Sequence, residues 1–447
     1  MLSRLLRDRL RPVAPTPGVD LTIVLRHCLT ALLYHRIYWA LSTVLLAATI
    51  SVLFIAPAYA PLGGVAAAVL AVQHRILVKK IVFDRLRRGR FRTDLGAPRP
   101  PRRWMEERVE SIERAQRGNV TLFSGHRPFV GHGVPVGGWS FALPLLPSTE
   151  LTNGSGRAIR QFTGTELVAH LRDVLAGTAA GDPRSTLSGL YVQERLFVEG
   201  HLSDDHDALL PDRKAPPVLE VGREEITTMT NQVDDSARCY LVAHLRSERS
   251  GLATSTFLRF LVDDHMLYAE CERTVLPPLH PALRMDERTT RKVGFGDFTD
   301  SEVASAFAGW IKPFFAAPFW LLDSFTLLKD LHASRRQSRD ALHDLQFDYG
   351  TDFSVREFAA TGDYANRFQA NDAERHFKLI ERHTLEALIL FLKGHGVNTD
   401  ELHSRQAAIL NQGIIQFDGT NNIGALAVGD QARATQRNNP QKTKATT

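Results

Sequence analysis

The chain has 447 residues and a formal net charge of +5, and its basic surplus is one-sided: residues 1–92 carry 14 Lys/Arg against 3 Asp/Glu, the remainder 40 against 46. An acidic remainder argues against nucleic acid as a partner despite the basic total. Three widely spaced cysteines, Cys28, Cys239 and Cys271, offer neither a disulfide framework nor a zinc ribbon, and they agree with a reducing compartment.

Residues 1–36 read as a basic cytoplasmic segment. From Ile37 to Gln73 there is no Asp, Glu, Lys, Arg or His. A helix needs about 20 apolar residues to cross a bilayer, so this stretch is too long for one straight span. Pro57, Pro61, Gly63 and Gly64 break its middle. The pattern predicts a transmembrane hairpin over 37–78, with spans Ile37–Ala56 and Pro61–Val78 and a turn near Ala58–Ala60. Arg26 and Arg36 flank it on one side, Arg75, Lys79 and Lys80 on the other. Basic flanks stay cytoplasmic, which predicts a cell-membrane protein with both termini and the main domain in the cytosol. Ala58-Tyr59-Ala60 has the form of a signal-peptidase triplet, but the long leader before it and Pro61 after it argue against cleavage.

Residues 79–117 read as a basic juxtamembrane linker, stiffened by Pro98, Pro100 and Pro101, followed by a short helix over Met105–Gln116. An α+β domain is expected over 118–290. Strands fall at Asn119–Ser124, Trp139–Leu143 and Leu190–Val198, with a helix at Thr163–Leu175 capped by Thr163 or Thr165. Ala237–Arg246, Leu252–Val262 and Met266–Thr274 are β-rich runs separated by turn compositions, an antiparallel meander. The segment 301–344 is aromatic and interrupted by Lys312, Pro313, Pro318 and Asp323. It reads as amphipathic helix on a membrane surface, or else as a buried helix pair; Lys312 and Asp323 oppose the remaining reading, a third crossing. Asp372–Lys393 and Asp400–Leu410 form a helical hairpin within 371–412, its first helix capped by Asn371 or Asp372. The tail, 413–447, is β-prone and then polar. The fold class expected is α+β with an N-terminal two-helix transmembrane hairpin.

Four groups of residues carry candidate chemistry. The Gly-rich loop with His126, Arg127, Gly131, His132 and Gly133 has the composition of an anion cradle, or of a tight strand connection. His201, Asp204, Asp205 and His206 are ligand types that suit zinc or another first-row metal, in a segment that also reads as a solvated turn. Arg26, Arg36, Arg75, Lys79 and Lys80 are the headgroup-facing cations. Ile414, Ile415, Phe417, Asn421, Asn422, Ile423 and Val428 combine high β-propensity with low charge, the composition of stacked-strand assemblies. No GxSxG, HExxH, Walker or Cys–His signature names a nucleophile, and no cofactor is indicated.

Leu122-Phe-Ser-Gly-His-Arg-Pro-Phe-Val-Gly-His-Gly and Gly138-Trp-Ser-Phe-Ala resemble a segment of actinobacterial membrane proteins that share an N-terminal hairpin and a cytosolic body. That resemblance implies architecture and no activity. Phe391-Leu-Lys-Gly-His-Gly-Val-Asn-Thr-Asp-Glu-Leu and Ala427-Val-Gly-Asp-Gln-Ala-Arg-Ala are similar to a C-terminal module of varied actinobacterial proteins. The tail also resembles bacterial amyloid-signalling motifs. The expectation is a membrane-anchored, non-enzymatic scaffold or signalling adaptor. Its partners would be the lipid bilayer, a second copy of the chain through the tail, and a protein bound by the C-terminal module. The alternatives are a membrane-tethered metal-dependent hydrolase using 201–207, and a sensor of lipid surfaces.

Overall fold

The computed structural model describes residues 2–86, 91, 103–148, 159–181, 187–201, 208–231, 236–247, 251–283, 309–324 and 347–411. The first twenty residues fold against the body. Helix α1 (Leu2–Arg7) and the segment after it bury Leu5, Leu6 and Val13 together with Met105, Val109 and Ile112 of α4 (Arg103–Arg117). The arginines between these apolar residues disguise the packing in the sequence. Arg108, buried in α4, donates to the carbonyls of Leu5, Asp8, Arg9 and Arg11. Burial and the neighbouring Arg9 hold its pKa down at about 10.

Helix α2 (Leu21–Ile55) starts much earlier than the apolar stretch suggests. Its first turns belong to the body: Leu21, Leu25 and Leu29 lie in the same core as α4, and Arg26 pairs with Glu106 at 2.9 Å. Arg26 thus sits against α4, and Arg36 lies further along the same helix. A 3-10 turn, Pro57–Tyr59, connects α2 to α3 (Ala60–Ile81), and a π-helical turn, Val82–Leu86, extends it. Lys79 and Lys80 occupy the last turn of α3, and Arg75 is exposed beside it. Both helices are long and apolar enough to cross a membrane, and little of either is buried. They touch closely where Gly63 faces Thr49: a Cβ on Gly63 would stand 2.2 Å from Thr49 Oγ1.

Among the described residues six strands form one sheet in the order β1-β3-β4-β5-β6-β2. They are β1 (Val120–Phe123), β2 (Val134–Pro144), β3 (Leu190–Glu199), β4 (Ala237–Arg246), β5 (Ala253–Val262) and β6 (Met266–Leu276). The meander β4-β5-β6 has the expected order. Only β1 and β3 pair in parallel. β2 begins five residues before Trp139. It lies on a sheet edge and absorbs Pro135 and Gly137 through a bulge, positions an interior strand would not tolerate.

Helices α5 (Gly164–Gly181) and α6 (Arg223–Asn231) cover one face of the sheet with the long C-terminal helix. A capping box starts α5: Glu166 N donates to Thr163 Oγ1, and Thr163 N donates to Glu166 Oε2. Ile311–Ser324 forms α7, and Val355–Phe358 a short α8. Helix α7 lies along α2 and α3. Phe314 is buried with Leu46 and Ala67, Trp310 faces Gly64, and Trp320 meets Trp39 edge-on. Its exposed side presents Ile311, Phe315, Phe319 and Leu322.

Helix α9 (Arg367–Gly394) begins five residues before the expected cap. Asn366, not Asn371 or Asp372, is its N-cap, accepting from Gln369 N at 3.1 Å. Its early turns carry no continuous apolar stripe, and Phe368 is exposed, so periodicity could not reveal them. Helix α10 (Asp400–Asn411) follows. Leu385, Leu388 and Leu392 of α9 and Leu402 of α10 share one core with Leu167 and Leu171 of α5 and Leu258 and Phe260 of β5. The C-terminal hairpin is therefore built into the α+β body. Each such leucine removed from water contributes about 2 kcal/mol.

Candidate ligand-binding cleft

The other face of the sheet carries the site. Phe129, Phe197, Tyr240 and Phe257 form an aromatic cluster there. Beside it opens a cleft of about 1410 Å³. One wall is sheet: Tyr191, Gln193 and Arg195 of β3 and His244 and Arg246 of β4. The opposite wall is Pro15–Asp20, Thr22 and the end of α4 with Glu113, Gln116 and Arg117. His132 and His376 also line it.

The expected anion cradle has an occupant from within the chain. Gly131 N and Gly133 N donate to Glu357 Oε1 at 2.7 and 2.9 Å. Both glycines have φ near +95° (95° and 96°), and a Cβ on either would collide with backbone, Gly131's with Pro15 O and Gly133's with Val275 O. Two backbone N–H groups of the loop thus converge on one carboxylate of α8, an internal contact. His126 and Arg127 are exposed on the outer turn, away from this contact.

Only His132 of that group turns into the cleft. Its main chain is pinned: His132 N donates to Phe129 O, and Thr274 Oγ1 donates to His132 O. Its imidazole stacks on His244, with centroids 4.8 Å apart and planes 5° from parallel. The His132 side chain is buried, yet neither ring nitrogen has a hydrogen-bond partner among the described residues. His244 Nδ1 lies 2.8 Å from Ser255 Oγ, its cross-strand neighbour. Arg195 lines the same cleft and is buried. Its Nη1 donates to Thr121 Oγ1 and its Nη2 to Gly118 O. The Gln193 amide, oriented with its oxygen toward Arg195, accepts from Nε and Nη2 at 3.2 Å. No carboxylate forms an ion pair with Arg195 among the described residues.

The electrostatics follow from burial and from this uncompensated cation. Desolvation, then His244 and Arg195, hold His132 well below the usual imidazole range. Desolvation and Arg195 bring His244 down to about 3. Arg195 itself falls to about 10 through burial. Both imidazoles are therefore neutral at physiological pH, each able to donate one proton and accept another.

On the opposite wall the start of α2 is fixed. Asp20 caps it, accepting from Thr22 N at 2.9 Å and Ile23 N at 3.3 Å. Gln116 Oε1 accepts from Leu21 N and Thr16 Oγ1, and its Nε2 donates to Thr22 Oγ1. Sequence reasoning missed Arg195, His244, Gln116 and Asp20. The available signal was Arg195, a charge inside an apolar strand at a position whose parity points it to a sheet face.

Of the proposed metal ligands, His201 lies on the surface 3.6 Å from Glu199 Oε1, while Asp204, Asp205 and His206 lie outside the described residues. Among the described residues no cluster of three or more His, Cys, Asp or Glu could hold a metal. The tail group from Ile414 to Val428 also lies outside the described residues.

Architecture and site together define an α+β protein with an N-terminal pair of apolar helices and a polar cleft on one sheet face. Residues 138–423 match the AbeC-like domain, and the chain belongs to that family. The match includes Arg195, His244 and His376 but begins after His132, so the family domain supplies one side of the cleft and the preceding residues the other. No curated protein and no solved structure matches the chain.

Proposed function

We propose that this protein is a membrane-anchored, non-enzymatic receptor and adaptor: the α2–α3 hairpin holds the body at the cytosolic face of the cell membrane, and the cleft receives a ligand. The observation that carries this reading is the continuity of α2. The helix is capped by Asp20 in the wall of the cleft and runs without a break to Ile55. A ligand that shifts the Asp20–Gln116 contacts therefore acts on the base of the anchoring helix itself. The basic residues at the end of α3 and the juxtamembrane surplus support the cytosolic orientation. The β-prone tail supports self-association of anchored copies.

Thiol labelling tests the anchor. Cys28 is the exposed native cysteine, and Cys239 and Cys271 are buried. In intact cells an impermeant maleimide should label Ala58→Cys and spare Cys28; in inverted vesicles the preference should reverse. Equal labelling of both positions from one side would contradict a spanning hairpin. For the tail, light scattering should give a large assembly for the whole chain and a small one for a chain ending at Gln412. Equal masses would remove the tail from the adaptor role.

A further inference from the structure

We infer that the cleft binds a soluble small molecule through a phosphate or carboxylate group seated against His132, His244 and Arg195. The inference gives a ligand chemistry to the receptor reading above and rests on it only for its purpose.

Three observations point to an anion. Arg195 is a buried cation without an ion-paired carboxylate among the described residues; like Arg108 it is held by neutral acceptors, but it also lines the cleft, where an anion can reach its uncompensated charge. His132 is buried with both ring nitrogens unpartnered and its backbone locked, so its ring is held ready for a group the protein does not itself supply. His244 stacks beside it with Nδ1 tied to Ser255, leaving its other nitrogen as the second hydrogen-bonding position. A phosphate or carboxylate meets all three needs at once.

A metal ion does not. The two rings lie in nearly parallel, separate planes, so their in-plane lone pairs cannot converge on one ion, and Arg195 repels a cation. The carboxylates that line the cleft, Asp20 and Glu113, are engaged on the opposite wall, Asp20 capping α2 and Glu113 accepting from Arg117.

The ligand comes from solution and not from a lipid headgroup. From Asp20 to Ile37, where the uncharged stretch starts, α2 rises about 25 Å at 1.5 Å per residue. The cleft volume, about 1410 Å³, exceeds that of a simple anion. It leaves room for the rest of the molecule against exposed Tyr191.

The experiment uses full-length protein in nanodiscs of neutral lipid, unfolded thermally at constant ionic strength. Inorganic phosphate, and acetate more weakly, should raise the transition temperature saturably relative to chloride. His132→Leu and Arg195→Met should each weaken the apparent phosphate affinity at least tenfold. His132→Leu should keep the near-ultraviolet dichroism of the parent, which separates lost binding from lost folding. Phosphatidic acid in the nanodisc, without soluble phosphate, should leave the transition where it was. Phosphate indistinguishable from chloride would overturn the inference, as would undiminished binding by both variants. A rise with phosphatidic acid alone would overturn the soluble source. None of these results bears on the labelling pattern at Ala58→Cys, so the anchor and the ligand chemistry stand or fall separately.

Discussion

Two buried polar clusters sit on opposite faces of the same sheet and are finished differently. On the helix-covered face, Glu381 of α9 is almost completely buried. Its Oε1 accepts from Trp139 Nε1 at 3.0 Å and from Cys271 Sγ at 3.8 Å, and Arg273 Nη1 stands 3.5 Å away. Arg273 in turn lies over the Phe377 ring. Burial still raises the Glu381 pKa, with Arg273 and the Trp139 bond opposing it. On the cleft face, among the described residues, Arg195 lacks an ion-paired carboxylate and the two ring nitrogens of His132 lack hydrogen-bond partners. A cluster closed on itself fixes packing. A cluster left open beside a cavity holds hydrogen-bonding positions for something else.

The sharpest way to break this contrast is to open the closed cluster. Glu381→Ala should cost about 3 kcal/mol, because the partly buried Arg273 and Trp139 Nε1 lose their acceptor and a void opens in the core. Chemical denaturation of the parent and variant measures it. A loss under about 1 kcal/mol, within the range of ordinary surface changes, would mean that the cluster is not the packing element described.

The pH dependence comes next. His244 and His376 have folded-state pKa values of about 3 and about 4, below the unfolded value near 6.5. As pH falls from 6.5 toward 4 the unfolded chain binds protons that the folded chain does not. These residues therefore favour folding above pH 6.5 and lose that contribution as the pH drops, by up to about 1.4 kcal/mol per pH unit for each one. Unfolding midpoints measured across that window should fall with acid, and His376→Asn should flatten the slope. An unchanged slope would show that His376 is charged in the folded protein.

The smallest effect is the most diagnostic of an open site. His132→Leu removes two unpartnered nitrogens and some aromatic contact, so stability should stay level or rise by up to about 1 kcal/mol. A loss of more than about 2 kcal/mol would mean that His132 has a structural partner.

The sequence made some of this legible and concealed the rest for physical reasons. The meander was readable because Ser247–Gly251 and Asp263–His265 punctuate three β-rich runs. The apolar helices were readable because 37 consecutive uncharged residues, Ile37–Gln73, leave little else to propose. The body half of α2 was not, since Arg26 and His27 mask a core stripe of Leu21, Leu25 and Leu29. The Gly-rich loop has a composition that suits an anion cradle or a tight strand connection, and only the fold reveals that Glu357, more than two hundred residues away, accepts from Gly131 N and Gly133 N. The cleft was least legible. It is assembled from the N-terminal segment, the start of α2, α4, the loops at His132, Ser188 and Ser247, strands β3, β4 and β5, and α9, and no local spacing joins them.

One measurement separates the two clusters directly. Nitrogen-detected magnetic resonance of the full-length protein in neutral nanodiscs, with labelled histidine and tryptophan, follows both during a phosphate titration. The account predicts that the His132 and His244 ring resonances move together and saturate, while the Trp139 Nε1 signal, held by Glu381, stays in place. Unmoved histidines, or a Trp139 signal shifting in step with them, would contradict it.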